Sequence, residues 1–354
     1  MSHPPLTADL LRARIAKLPR VRLAFLPTPL QHCPHLSADL GIDLWVKRDD
    51  LTGLALGGNK TRNLEFRMAE AIEAGADILV FGVEITSNSA RQTAAAANVL
   101  GLPLCLVLRG EPTGEPQGNL LVNLLLGAEI RLVDVPSFNH LGPVLEEIAA
   151  ELRAAGRRPF VLNHAKMFAR ASALAYLESF LEIQDQLAAH GRTPDHVFIS
   201  SGGKGQAGLI LAKKALGLPV RIQGIASTQN EDPWEYASRT ATEAAELLGL
   251  DLGVSPADVL NTFDHIGKGY GIPTDAGLDA IVRFARREGI LLDPVYSGKA
   301  AAGCLDRIRR GDVARGATVV FIHTGGQPAL FSQGRALVEH LRRATPGAAE
   351  MRRA

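Results

Sequence analysis

Asp77-Ile-Leu-Val-Phe-Gly82, Ser87-Asn-Ser-Ala-Arg-Gln-Thr-Ala-Ala-Ala-Ala-Asn-Val-Leu-Gly101 and Pro103-Leu-Cys-Leu-Val-Leu108 follow one another with only a few residues between them. The outer two are short apolar runs of strand length, and the middle one is an Ala-rich stretch closed by glycine, as a helix is. The same alternation continues through Gly118-Asn-Leu-Leu-Val-Asn-Leu-Leu-Leu-Gly127 and Glu129-Ile-Arg-Leu-Val133. It resumes at His196-Val-Phe-Ile-Ser200, a helix from Gly205 to Gly217, Val220-Arg-Ile-Gln-Gly-Ile-Ala226 and Thr318-Val-Val-Phe-Ile-His323. Strand and helix taking turns predicts parallel sheet with crossover helices, and ligands gathered outside the carboxyl ends of the strands. The expected fold class is therefore α/β, in two doubly wound three-layer αβα series at about residues 60–160 and 190–330.

Composition narrows the function. In 354 residues, 46% are hydrophobic, enough for buried cores, which excludes disorder as the main state. Lys plus Arg number 38 against 37 Asp plus Glu, a formal charge of +1, so neither nucleic acid nor an anionic membrane surface is an expected partner. Cys33, Cys105 and Cys304 are far apart and form no CxxC pair, which speaks against a disulfide framework or a metal site and for a reducing cytoplasm. Cys105 falls in an apolar run and reads as a buried strand residue. The start, Met1-Ser-His-Pro-Pro-Leu, lacks the order of a signal peptide, no run of about 18 apolar residues exists, and the tail from Arg342 is expected to fray.

Three glycine-rich loops carry the chemistry. Gly53-Leu-Ala-Leu-Gly-Gly-Asn-Lys-Thr61 has the spacing of a nucleotide-phosphate loop, but Asn59 shifts Lys60 by one position. The Lys47-Arg-Asp-Asp50 run before it reads as a polar turn rather than the end of a buried strand. Ser200-Ser-Gly-Gly-Lys-Gly-Gln-Ala-Gly208 satisfies GxGxxG between a strand and a helix, yet the next strand offers no acid for a ribose hydroxyl. What survives is an anion nest at a helix start. Ile322-His-Thr-Gly-Gly-Gln-Pro-Ala329 is the third loop, again directly after a strand. A lysine, an anion nest and a hydroxyl turn together suit a phosphorylated cofactor that reacts with an amine, and pyridoxal phosphate has both properties. A nucleotide- or NAD-binding enzyme using the GxGxxG loop stands as the alternative of another class, and a non-catalytic cofactor-binding relative as a third.

Five stretches carry a family resemblance: Leu26-Pro-Thr-Pro-Leu30, Trp45 to Glu65, Ser87-Asn-x-x-Arg-Gln-Thr-Ala94, Leu292-Asp-Pro-Val-Tyr-Ser-Gly-Lys299 and Phe321-Ile-His-Thr-Gly-Gly-x-Pro-Ala-Leu330. In this order, over about residues 20–335, the chain resembles the D-cysteine desulfhydrase / 1-aminocyclopropane-1-carboxylate deaminase family of pyridoxal-phosphate enzymes, on the tryptophan-synthase-β-like fold. L-cysteate sulfo-lyase belongs to the same family. The resemblance implies a smaller α/β domain at 58–165 and a larger cofactor-binding domain made of 1–57 plus 166–354. It implies a homodimer acting on a small amino acid.

Carried over by position, Lys60 resembles the lysine that bonds the cofactor aldehyde and then moves the Cα proton. Ser87, Asn88 and Gln92 match the element at a helix start that suits a substrate carboxylate, with Ser87 also a catalytic candidate and Asn88 touching the cofactor. Tyr270 and Tyr296 match two active-site tyrosines, Tyr296 also facing substrate. Gly202, Gly203, Lys204, Gly205 and Gln206 match the phosphate loop. Thr324 or Ser297 is the implied partner of the pyridine nitrogen. Family deaminases place Glu where Ser297 stands, so the hydroxyl tilts the expectation toward removal of a β-substituent, giving an α-keto acid and ammonia. Ring-opening deamination of 1-aminocyclopropane-1-carboxylate is the alternative. Three segments depart from the family pattern: Ile85-Thr-Ser-Asn-Ser89, Gly202-Gly-Lys-Gly205 with Lys204 in place of Thr, and Asn163-His-Ala-Lys-Met-Phe-Ala-Arg170, either a remodelled pocket or a surface turn.

Overall fold

A computed structural model describes residues 5–112, 114–228 and 232–344, so the tail beyond 344 lies outside the described residues. Its ten strands are β1 Leu30–His32, β2 Asp43–Lys47, β3 Ile78–Glu84, β4 Leu104–Arg109, β5 Glu129–Val133, β6 Pro159–Val161, β7 His196–Ser200, β8 Arg221–Ile225, β9 Leu260–Thr262 and β10 Thr318–Ile322. They form two sheets. One has the order β5-β4-β3-β6 and is parallel throughout. The other has the order β1-β2-β10-β7-β8-β9 and is parallel except for β1 against β2. The chain therefore starts in the six-stranded sheet, leaves it for the four-stranded one, and returns. Pairing of β2 with β10 joins the two ends of the sequence in one sheet.

Both sheets carry helices on their faces. Their central strands read as continuous apolar runs because both sides are covered, which is the reason a parallel strand shows no alternation. Val319, Val320, Phe321 and Ile322 of β10 are all fully buried, as are Leu79 and Val80 of β3. Cys105 is buried in β4, and all three cysteines are free. The GxGxxG glycines have a packing role: a Cβ on Gly208 would lie 2.0 Å from the carbonyl oxygen of Ala173, so the helix Lys204–Leu216 can approach the helix Arg170–Ala188 this closely only with glycine there. No described helix is long and apolar enough to cross a membrane.

One sequence expectation needs correction here. Lys47 is the last residue of the buried strand β2, and Lys47, Asp49 and Asp50 are all buried rather than a solvated turn. Their polarity is matched inside the protein: Lys47 Nζ lies 2.7 Å from Glu182, and Arg62 pairs with Asp49 at 2.9 Å and Glu182 at 2.7 Å. A run of charges is buried when remote partners neutralise it.

Candidate active site

The loops after β2, β3, β7 and β10 all leave carboxyl ends of parallel strands, and they meet. Gly57 sits at φ +65°, and a Cβ there would be 2.0 Å from the Asp50 carbonyl oxygen, so this turn demands glycine. Ala55 and Leu56 also adopt positive φ, uncommon for residues with side chains. Arg91 holds the strained turn: its guanidinium donates to the carbonyls of Ala55 and Gly57 and to Asn119. Asn59 N–H donates to the Thr324 carbonyl at 3.0 Å, tying the first glycine loop to the third. The lysine helix, Lys60–Glu73, starts on this platform.

Lys60 points into a cavity of about 240 Å³, lined also by Asn63, Arg67, Ser87, Phe168, Lys204, Tyr270 and Tyr296. Burial, helped by the positive charge of Arg67, lowers its amine pKa to about 8. An appreciable fraction is then the neutral, nucleophilic amine near neutral pH. Among the described residues, no carboxylate pairs with it.

Ser87 caps the helix Asn88–Val99, its hydroxyl accepting from Ser89 N–H at 3.1 Å. N–H groups of the first helical turn have no intrahelical acceptor, and the helix dipole adds partial positive charge. Asn88 has its Oδ1 engaged by Asn119 at 2.9 Å, which leaves its amide NH₂ as donor. Gln92, expected at the substrate, lies behind the wall: its Oε1 accepts from Thr61 N–H at 2.8 Å and Thr61 Oγ1 at 2.9 Å. It is fully buried and locks the Ser87 helix to the turn carrying Lys60.

Tyr270 and Tyr296 come from different loops, and their hydroxyls are joined by a short hydrogen bond. Burial raises both phenol pKa values, so both are protonated at neutral pH. Lys299 is fully buried and donates to the carbonyls of Ile266 at 2.7 Å and Gly269 at 2.9 Å, pinning the loop that presents Tyr270. Asp293 accepts from the N–H groups of Val295, Tyr296 and Ser297 and from the Ser297 hydroxyl at 2.6 Å. Ser297 is thus committed to a buried turn that sets Tyr296. Thr324, buried, meets the Lys60 turn through its carbonyl.

At the second loop, Gly203 takes φ +110° and caps the Lys204 helix without a side chain. Lys204 Nζ lies 4.0 Å from the centre of the Phe168 ring and 5.4 Å from that of Tyr236. The N–H groups of Lys204, Gly205 and Gln206 open the helix and point outward along its axis. The Gln206 side chain faces the other way, donating to the Leu260 carbonyl at 2.6 Å and accepting from Asn261 at 3.0 Å. Its part in an anion nest is confined to the backbone.

Lys60, Ser87, Lys204, Tyr270 and Tyr296 therefore share one cavity, while Asn88, Gln92, Gln206 and Ser297 support it from behind or alongside. Sequence reading missed Asn63 and Arg67, though both stand on the Lys60 face of its helix at i+3 and i+7. It also missed Glu84, whose carboxylate on the cavity wall is held by Arg109 at 2.9 Å. The 163–170 segment divides: Phe168 lines the cavity, His164 pairs with Glu146 at the surface, and Arg170 pairs with Glu243. Asn163 extends the sheet, its amide bonding both backbone groups of Gly82 at 2.7 and 2.8 Å.

These groups fit a phosphate-bearing aldehyde. An amine of lowered pKa faces a cavity with two further cations, an open helix start and one carboxylate already paired. Arg67 Nε is buried without an acceptor among the described residues, an orphan that an anion in the cavity would serve.

Comparison with known proteins gives the family and its cofactor. Residues 21–325 match the family described as pyridoxal-phosphate dependent enzyme. D-cysteine desulfhydrase of Yersinia enterocolitica is 40% identical over 328 residues, spanning 91% of this chain and 98% of its own. The crystal structure of an ACC deaminase homologue superposes with a TM-score of 0.84 at 36% identity, over 95% of this chain and all of the other. Threonine deaminase isoform 2 of Solanum lycopersicum, at 18% identity and TM-score 0.65 over 96% of this chain and 90% of its own, shares the fold.

Proposed function

This chain belongs to the pyridoxal-phosphate dependent enzymes, and from that premise we propose that it is a lyase removing a β-substituent from a small amino acid. The products are an α-keto acid, ammonia and the departed group. With a cysteine-like substrate, one water enters and pyruvate, ammonia and sulfide leave. The observation that carries the reading is the Lys60 amine, desolvated and without a carboxylate partner on the cavity wall.

Lys60 would hold the cofactor, with the Lys204 helix start and Gly202–Gly205 around its phosphate, and Asn88 and Thr324 beside its ring. Bound there, pyridoxal phosphate supplies an electron sink for the pair left on Cα when the proton departs. Ser87 and the N–H groups of its helix bind and orient the substrate carboxylate. Lys60 Nζ takes the Cα proton, a transfer that needs the neutral amine its surroundings favour. Tyr270 and Tyr296, both protonated and coupled through their hydroxyls, place a proton next to the leaving group. Phe81, Phe138 and Phe168 line the cavity and exclude water from the reacting carbon. Ser297 stands where the family's deaminases carry Glu; its hydroxyl is held by Asp293, and the position brings no carboxylate of its own to the cofactor ring, which favours β-elimination over ring opening.

In this reading 58–165 is the smaller domain, and 1–57 with 166–354 the larger, cofactor-binding one. A cytoplasmic homodimer accords with three free, buried cysteines and with exposed Leu121, Leu124 and Leu125 on one helix. Sedimentation of the purified chain reads the assembly state.

The test is a visible spectrum. Purified protein given pyridoxal phosphate should show the absorbance of lysine-bound cofactor, and Lys60→Ala should lose it. A wild-type chain that takes up none ends the proposal. Pyruvate, sulfide and ketobutyrate released from D-cysteine, L-cysteate and 1-aminocyclopropane-1-carboxylate then identify the substrate.

A further inference from the structure

Arg67 is 3% exposed, and among the described residues no carboxylate forms an ion pair with it. Its Nη2 donates to the Leu162 carbonyl at 3.1 Å, and among the described residues its Nε has no acceptor. Glu70, one helical turn further on, favours the Arg67 charge through space but accepts its hydrogen bonds from the N–H groups of Lys166 and Met167 at 2.8 and 2.9 Å. Glu84, on the same cavity wall, is held by both Nη1 contacts of Arg109. The guanidinium lies 4.7 Å from the Phe168 ring centre, and the Lys204 ammonium lies 4.0 Å from the same centre. One aromatic ring thus gathers two cations from distant parts of the sequence onto one stretch of cavity wall, at the open start of a 13-residue helix. A ring quadrupole offsets part of their mutual repulsion, but it supplies the Arg67 Nε with no hydrogen-bond acceptor.

We infer that Arg67, Phe168 and Lys204 form a clamp for a tetrahedral oxyanion, with Arg67 donating to it, Lys204 adding charge and Phe168 holding both cations in place. Two sources carry that chemistry: the phosphate of the cofactor, or an anionic group on the β-carbon of the substrate. The inference rests on the reading of this cavity as a cofactor and amino-acid site, and deepens it by naming what this stretch of its wall recognises. Lys60 alone cannot play the part, since its amine is the reacting group. Because a guanidinium donates in a planar fork, it suits a phosphate or sulfonate better than a point charge would.

The experiment compares the wild-type full-length chain with Arg67→Met, Arg67→Lys and Lys204→Met. Each is stripped of cofactor and titrated with pyridoxal phosphate and with pyridoxal, which lacks the phosphate. A clamp on the cofactor phosphate predicts that Arg67→Met weakens pyridoxal phosphate about tenfold or more, roughly one charge-assisted hydrogen bond. Pyridoxal binding should stay unchanged, and Arg67→Lys should recover part of the loss. A clamp on the substrate predicts unchanged cofactor binding and a KM for L-cysteate that rises about tenfold relative to D-cysteine at constant kcat. Equal discrimination between phosphorylated and unphosphorylated cofactor, and between the two substrates, in Arg67→Met and Lys204→Met overturns the clamp. Since Arg67→Met removes a buried charge that no described carboxylate pairs with, its melting temperature should not fall; Lys204→Met, less buried, repeats the test if it does. Should the wild type take up no pyridoxal phosphate, the functional reading fails separately. Stabilisation of the chain by inorganic phosphate, present in wild type and absent in Arg67→Met, then still decides for the clamp, and its absence in wild type decides against.

Discussion

Arg62 and Arg67 lie on the same helix, five residues apart, both buried, and their surroundings differ completely. Arg62 bonds Asp49, Thr28 and both oxygens of Glu182. Burial opposes its charge, but Asp49 and Glu182 outweigh that and raise its pKa. Arg67 has one backbone carbonyl and two aromatic rings, and burial lowers its pKa to about 10. On the Arg62 face the protein itself neutralises each buried charge, and the result is architecture that seats β2 and the lysine loop. On the Lys60, Asn63 and Arg67 face no described carboxylate forms an ion pair with Lys60 or Arg67, an arrangement that suits a ligand bringing the anions.

The contrast can be broken most severely at Lys60. Lys60→Ala should cut release of keto acid roughly 10²–10⁴-fold, the range for a lost proton-transfer group, with no loss of fold by circular dichroism. Next comes a test of the opposite face. Asp49→Asn leaves Arg62 half-paired and should cost about 3–5 kcal/mol in denaturant unfolding, whereas Arg67→Met should cost nothing in the cofactor-free chain. Equal losses in the two variants would show that the faces do not differ as argued. Gln92→Leu removes the acceptor of Thr61 N–H and Oγ1 and should cost about 1–3 kcal/mol, lowering kcat while cofactor absorbance persists. The smallest effect concerns pH. Cofactor uptake by the stripped chain needs the neutral Lys60 amine, so its rate should rise with pH through about 8. Removing the Arg67 charge relieves Lys60, so in Arg67→Met the midpoint should move to higher pH; a stopped-flow pH series reads it.

Much of this was legible before any coordinates. Apolar runs between glycine-closed helices announced parallel sheets, because strands buried on both faces admit no polar alternation. The three glycine loops stood out because tight turns and close approaches tolerate no Cβ, and the lysines on two of them, Lys60 and Lys204, line one cavity. Side-chain direction was less legible. Gln92 and Gln206 sit beside the site in sequence but turn their amides to Thr61 and to Leu260 and Asn261, partners that sequence distance conceals. Ser297 reads as a free hydroxyl until Asp293 is seen to hold it. Lys47-Arg-Asp-Asp50 reads as solvated for the same reason, its neutralising Arg62 and Glu182 lying elsewhere in the chain.

Local chemistry, then, was determined by the sequence: which segments become strands, where the backbone must turn on glycine, and which residue types stand at the carboxyl ends of strands. These follow from backbone sterics and apolar periodicity, which act over a few residues. Only the tertiary structure decided which buried charges are compensated. Arg62 and Arg67 are alike in sequence, and it is Glu182 on one side and Phe168 with Lys204 on the other that make the first a strut and the second a recognition group. Desolvation and Coulomb terms depend on distance in space, and the fold alone sets those distances.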